Sequence, residues 1–175
     1  SGTVRPGDTV VVLPAGRTTR VKRIVTFDGD LDVARSPMSV TLALEDEVDI
    51  SRGDMIAVGE AQVGQRFRAD VVWMDERPLN PARVYLLKHS TRTVTAEVDH
   101  GLLLNQIALL TVSTARPIVF DRYGDNRGTG SFVLIDPVTN FTAGAGMIAD
   151  AVRDRASASA ARPSAAEKIA RLARG

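Results

Sequence analysis

Gly7-Asp8-Thr9-Val10-Val11-Val12-Leu13-Pro14-Ala15-Gly16 opens on a turn pair, runs through five β-favouring residues and stops at a Pro-Ala-Gly breaker. β-branched side chains pack well on a pleated surface and lose rotamer freedom in a helix, so this run predicts a strand. Arg20-Val21-Lys22-Arg23-Ile24-Val25-Thr26-Phe27 repeats the plan and ends at the turn pair Asp28-Gly29. Ser39-Val40-Thr41-Leu42-Ala43-Leu44 alternates with one apolar face. Ser51-Arg52-Gly53-Asp54 reads as a turn before Met55-Ile56-Ala57-Val58. Turn signals roughly every 8–12 residues fit a small barrel or sandwich.

A second set of strands is expected beyond Gln65, over 67–74, 83–88, 91–98, 107–113, 117–120, 130–136 and 140–144. Pro78 and Pro81 interrupt the first pair, and Asp125-Asn126-Arg127-Gly128 makes a turn. Leu102-Leu103-Leu104 allows one short helical turn, and no stretch of the body sustains a helical period. The fold class is therefore all-β, with two small β-barrels over 1–61 and 66–148. The first set offers only about four strands, whereas a closed barrel usually needs five or more. Gly2-Thr3-Val4-Arg5-Pro6-Gly7-Asp8 also reads like a turn between two strands. At least one strand is expected upstream of Ser1, leaving the first barrel incomplete.

The last 27 residues differ in kind. Ten of residues 149–175 are Ala, none is aromatic, and six basic side chains face three acidic ones. So few large apolar groups cannot offset the ordering entropy, and the tail is expected to be largely disordered. Pro163 followed by Ser164-Ala165-Ala166-Glu167 is a capping-box pattern, with Ile169 and Leu172 on one face of the helix it would start. A solvated tail and a docking helix for a partner are both open readings.

Across the whole chain 22 basic residues nearly balance 21 acidic ones, and residues 1–148 carry a net −2. That disfavours a dedicated nucleic-acid binder, which concentrates basic charge. The absence of Cys excludes disulfides, thiolate metal sites and a cysteine nucleophile; it fits a reducing compartment, and the cytoplasm is expected. No apolar run approaches the roughly 20 residues that span a bilayer, so no membrane partner is expected. The opening residues have no apolar core of a signal peptide.

Catalytic motifs are lacking. Gly128-Thr129-Gly130 has no following Lys, and Gly144-Ala145-Gly146 is placed at a strand end with no helix pattern behind it, so neither is a phosphate cradle. His89 and His100 match no metal-ligand spacing. Asp28, Asp30 and Asp32 begin like a calcium loop, but Val33 and Ser39 stand where it needs Gly and Glu. Arg52-Gly53-Asp54 is treated as a turn. Glu45, Asp46, Glu47 and Asp49 form a dense acidic run, either a solvated loop or a surface that receives a basic partner. Trp73 and Met74 end a strand and read as core or interface.

Longer stretches resemble a known family. Val4 to Gly16 is similar to the second domain of translational GTPases such as elongation factor Tu. Arg23-Ile24-Val25-Thr26-Phe27-Asp28-Gly29-Asp30-Leu31-Asp32, together with Thr41 to Asp54, resembles one branch of that superfamily, the large GTPase subunit of bacterial sulfate adenylyltransferase. Val72-Trp73-Met74, Pro78-Leu79, Lys88-His89-Ser90-Thr91-Arg92-Thr93-Val94, Phe120 to Phe132 and Ile135 to Ile148 agree with it.

The resemblance implies two translation-factor-like β-barrels behind a nucleotide-binding domain. It further implies GTP hydrolysis by this subunit and a small catalytic subunit that joins ATP and sulfate into adenosine 5′-phosphosulfate and pyrophosphate. GTP and Mg belong to the N-terminal domain, whose phosphate loop, switch and guanine-reading motifs lie outside this sequence. No cofactor, catalytic or metal residue is therefore carried over. The implied partners are the small subunit, the GTPase domain itself and, in some members, an adenylylsulfate kinase domain that would lie beyond Gly175. Interface candidates are Glu45, Asp46, Glu47, Asp49, Trp73, Met74 and the stretch from His89 to Arg92. Two other readings stand beside this one: a tRNA-binding module, which the charge and low aromatic content disfavour, and an orphan barrel module.

Overall fold

The computed structural model describes residues 2–59 and 61–152, and all of its regular structure there is β. Seven strands make the first module: β1 (Thr3–Val4), β2 (Thr9–Leu13), β3 (Arg17–Thr26), β4 (Gly29–Leu31), β5 (Ala34–Arg35), β6 (Thr41–Leu44) and β7 (Met55–Val58). Six make the second: β8 (Val63–Trp73), β9 (Tyr85–His89), β10 (Arg92–Val98), β11 (Ile107–Val119), β12 (Ser131–Ile135) and β13 (Thr142–Ala151).

In the first module β3 is the hub. Its first half pairs with β2 and its second half with β4 and β6. The buried side chains of β3 run Thr19, Val21 and then Ile24, not Arg23. A register shift between Val21 and Arg23 re-phases the pleat so that two cations fall outside and Ile24 inside. The sheet is open. It runs β4-β3-β2-β7, with β6 on β3 and a separate β1-β5 pair, so β7 pairs on one side only. Val10, Val21, Ile24 and Ala34 form its small fully buried core.

Three of these strands, β1, β4 and β5, were not expected, and each is two or three residues long. Such pieces carry too few residues for a period-two pattern to show. The hairpin turn also differs from expectation: Thr26 pairs with Gly29, so the turn is Phe27-Asp28.

The second module is a closed barrel in the order β10-β11-β8-β13-β12-β9, all antiparallel. Closure removes every sheet edge. Alternation fills it: Phe67, Ala69, Val71 and Trp73 from β8, Tyr85 and Leu87 from β9, Leu110 and Val112 from β11. Phe67 packs on Phe120 and Phe132 with ring centroids 5.1 and 5.7 Å apart.

The expected strands over 107–113 and 117–120 are one strand, β11, with a shift in register between Ser113 and Ile118. The expected last strand, 140–144, extends to Ala151, which places Gly144-Ala145-Gly146 inside β13 and not at a strand end. The reason is a close approach of rings. A Cβ on Gly146 would lie 2.2 Å from Phe132 Cζ, and one on Gly144 3.0 Å from Trp73 Cε3. Residues 149–151 thus continue the barrel, while the tail and the helix read at Ser164 lie outside the described residues.

Candidate functional site

Two motifs that look unrelated in the sequence meet where the modules touch. The turn Ser51–Asp54 closes on itself: the Ser51 amide donates to Asp54 Oδ2 (2.9 Å) and the Asp54 amide to Ser51 O (3.0 Å). Gly53 sits in it at φ 97°, a backbone conformation that L side chains rarely adopt. It is also buried, and a Cβ there would stand 3.1 Å from Arg92 Cβ. Arg92 begins β10 after the two-residue turn Ser90-Thr91, with Ser90 at φ 49°. Its Nη1 lies 3.4 Å from Asp54 Oδ1, with the two side chains 21% and 20% exposed. Backbone contact and ion pair together clamp one module on the other.

Beside this clamp lies a cleft of about 790 Å³. Arg35, Met38, Met55 and Ile56 line it from the first module, and Phe120 and Asp121 from the second. Asp121 accepts from Thr129 Oγ1 at 2.5 Å and from Asn126 Nδ2 at 3.2 Å, which shapes the loop between β11 and β12. His89 is 1% exposed, and its Nε2 lies 2.7 Å from Thr129 O. Asp121 and His89 therefore hold a loop in place. Both contacts are made to Thr129 of the loop itself, so the arrangement fixes an orientation.

The remaining candidates divide by burial. Glu45, Asp46, Glu47 and Asp49 are exposed on the loop after β6. Thr19 anchors that loop: its hydroxyl donates to Asp46 Oδ2 at 2.9 Å and accepts from the Asp46 amide at 3.3 Å. Trp73 is 2% exposed, edge-on to Tyr85 at 5.6 Å, and its indole N–H donates to Arg77 O at 2.7 Å. Trp73 and His89 thus present nothing to an outside partner. Met74, the next residue, is exposed.

Sequence reading missed Asp136. It is buried, accepts from the amides of Val138 and Thr139 at 2.8 and 3.1 Å, and lies 3.4 Å from both Arg77 and Arg83. The two amide hydrogen bonds, then the guanidinium groups, hold its carboxyl below the usual carboxylate range. Asp136-Pro137-Val138-Thr139-Asn140 is an Asx-turn signature that signals the amide bonds, though not the arginines.

Comparison with known proteins agrees with this geometry. The family described as elongation factor Tu domain 2 matches residues 1–57, and that described as GTP-eEF1A C-terminal domain-like matches 66–149. Sulfate adenylyltransferase subunit 1 of Tolumonas auensis is 46% identical over 170 residues, 87% of this chain and 36% of the relative. The subunit 1 of Bacteroides thetaiotaomicron is 42% identical over 87% of this chain and 37% of its own length. The bifunctional enzyme NodQ of Rhizobium sp. is 43% identical, again over 87% of this chain but only 26% of its own. This chain therefore spans little more than a third of the subunit 1 relatives. Sup35 complexed with GDP superposes at a TM-score of 0.77 over 87% of this chain and 42% of its own at 15% identity, which shows the shared fold. The first module thus matches the elongation factor Tu domain 2 family and the second the GTP-eEF1A C-terminal domain-like family, and across both the chain is similar to sulfate adenylyltransferase subunit 1.

Proposed function

We propose that these modules are the barrel portion of the GTP-hydrolysing subunit of a sulfate adenylyltransferase acting in the cytoplasm in sulfate assimilation. The observation that carries the reading is the 46% identity to a subunit 1 over 87% of this chain, a span that takes in both modules. In this reading GTP and Mg bind a preceding domain. Among the described residues, Gly128-Thr129-Gly130 and Gly144-Ala145-Gly146 open no helix, and neither cradles a phosphate. A small partner subunit joins ATP and sulfate into adenosine 5′-phosphosulfate. The barrels couple the two sites. A clamp such as Arg92 on Gly53 and Asp54 lets both modules move as one body when the GTPase domain changes state. Where the enzyme is bifunctional, an adenylylsulfate kinase domain follows.

The test is a graft. This chain replaces the matching barrels of the Tolumonas auensis subunit 1, which is co-expressed with its small subunit. The expected result is a stable complex in which GTP stimulates formation of adenosine 5′-phosphosulfate. A graft that folds and hydrolyses GTP yet leaves sulfate adenylylation unstimulated overturns the proposal.

A further inference from the structure

On the first module, at the acidic loop, lies a groove of about 580 Å³ lined by apolar and charged side chains alike. Leu42, Leu44, Val48 and Ile50 line it, with Asp46, Glu47 and Asp49 around them. Leu42 and Leu44 are only half-buried where they pack against the module's four-residue core, and Ile50 is 41% exposed. A small core with a half-open flank gains from an apolar cover. An acidic rim selects a basic one.

This chain carries a segment of that chemistry. Residues 153–175 hold six basic and two acidic side chains. Within them Ser164-Ala165-Ala166-Glu167-Lys168-Ile169-Ala170-Arg171-Leu172-Ala173-Arg174 spaces Ile169 and Leu172 for one helix face, with Lys168 and Arg171 flanking it. We propose that residues 164–174 seat in cis on this groove, Ile169 and Leu172 over its apolar members Leu42, Leu44 and Ile50 and Lys168 and Arg171 against Glu47 and Asp49. Arg17 also lines the groove, where the acidic side chains Asp46, Glu47 and Asp49 outnumber it. Reach permits it. Residues 153–163, between the last described strand and the segment, span up to about 36 Å when extended. A domain of about 100 residues has a radius of gyration of roughly 13 Å, so the linker is about as long as one module is wide.

The test is zero-length carbodiimide cross-linking of the 175-residue chain, which joins a Lys amine to a carboxylate only in direct contact. Mass spectrometry of the monomer band is expected to show Lys168 bonded to Glu47 or Asp49. The yield should fall at least about fivefold in roughly 0.5 M salt, where the screening length shrinks to a few Å. The link should disappear in Lys168→Glu/Arg171→Glu. It should return, with the donor reversed, when Glu47→Lys/Asp49→Lys is added. Glu47 and Asp49 are exposed, so these changes leave the fold intact, checked by the chain's single Trp, whose fluorescence reports the second module, and by circular dichroism. Absence of the link in a folded monomer overturns the proposal. So does a link found only in a dimer band, which would make a second copy the occupant, or only to another subunit.

Discussion

Gly146→Ala adds one methyl group where the barrel has no room for it. The new Cβ would stand 2.2, 2.6 and 2.7 Å from Cζ, Cε1 and Cε2 of Phe132, the residue paired with Gly146 across β12 and β13. Carbon atoms in contact prefer about 3.5–4.0 Å, so the ring must retreat by more than roughly 1 Å. It cannot do so freely, because Phe132 is 3% exposed and packs edge-on against Phe67. Overpacking a dense core typically costs about 1–3 kcal/mol, and three ring atoms inside contact distance put this change near the top, at about 3 kcal/mol. With a urea slope of about 1–3 kcal/mol/M, the midpoint falls by about 1–3 M. Trp73 is the chain's single Trp and lies in the same core, so its fluorescence reports this module alone. Gly124→Ala is the control: no atom lies within 4 Å of its Cβ position, and the change should stay within about 0.5 kcal/mol. In a Phe132→Leu background, which removes the ring tip, Gly146→Ala should cost under about 1 kcal/mol, a coupling of about 2 kcal/mol. The reasoning is refuted if Gly146→Ala matches Gly124→Ala, or if its cost is the same with and without the Phe132 ring.

The clamp between modules is read by a double-mutant cycle of Asp54→Asn and Arg92→Met, which keep the turn acceptor and the aliphatic stem; a coupling of about 0.5–1 kcal/mol is expected. A coupling indistinguishable from zero would leave the clamp to the packing of Arg92 on Gly53. Asp136 predicts a pH dependence. Its folded pKa is depressed, so its stabilisation is fully present above the unfolded value of about 3.9 and is lost as pH falls through the lower folded value. Urea midpoints from pH 6 to pH 3 should therefore decline less steeply in Asp136→Asn than in the parent. Equal slopes would count against the amide and guanidinium contacts.

Much of the architecture is local and was legible. β2, β6 and β7 follow from β-branched or alternating runs between turn residues, because pleat and turn geometry act over a few neighbours. The matching turns over most of 2–148 identify the family in the same way. What local pattern cannot say is which residues at long separation share a place. Asp54 and Arg92 are 38 positions apart, and Arg77, Arg83 and Asp136 come from two distant loops. Alternation marks one face of β8 and β9 as apolar, but only closure of the barrel turned that face inward and buried Trp73 and His89, two residues the sequence offers equally well as contacts. Gly144 and Gly146 look like a strand end because glycine weakens a strand in isolation, whereas here Trp73 and Phe132 leave no space for a side chain. The sequence by itself determined the all-β class, the longer strands of both modules, most of the turns and the family resemblance, but not the short strands β1, β4 and β5. The tertiary structure alone decided which polar and aromatic groups are sealed inside and which remain outside, because burial and ion pairing depend on distances that only the closed sheet sets.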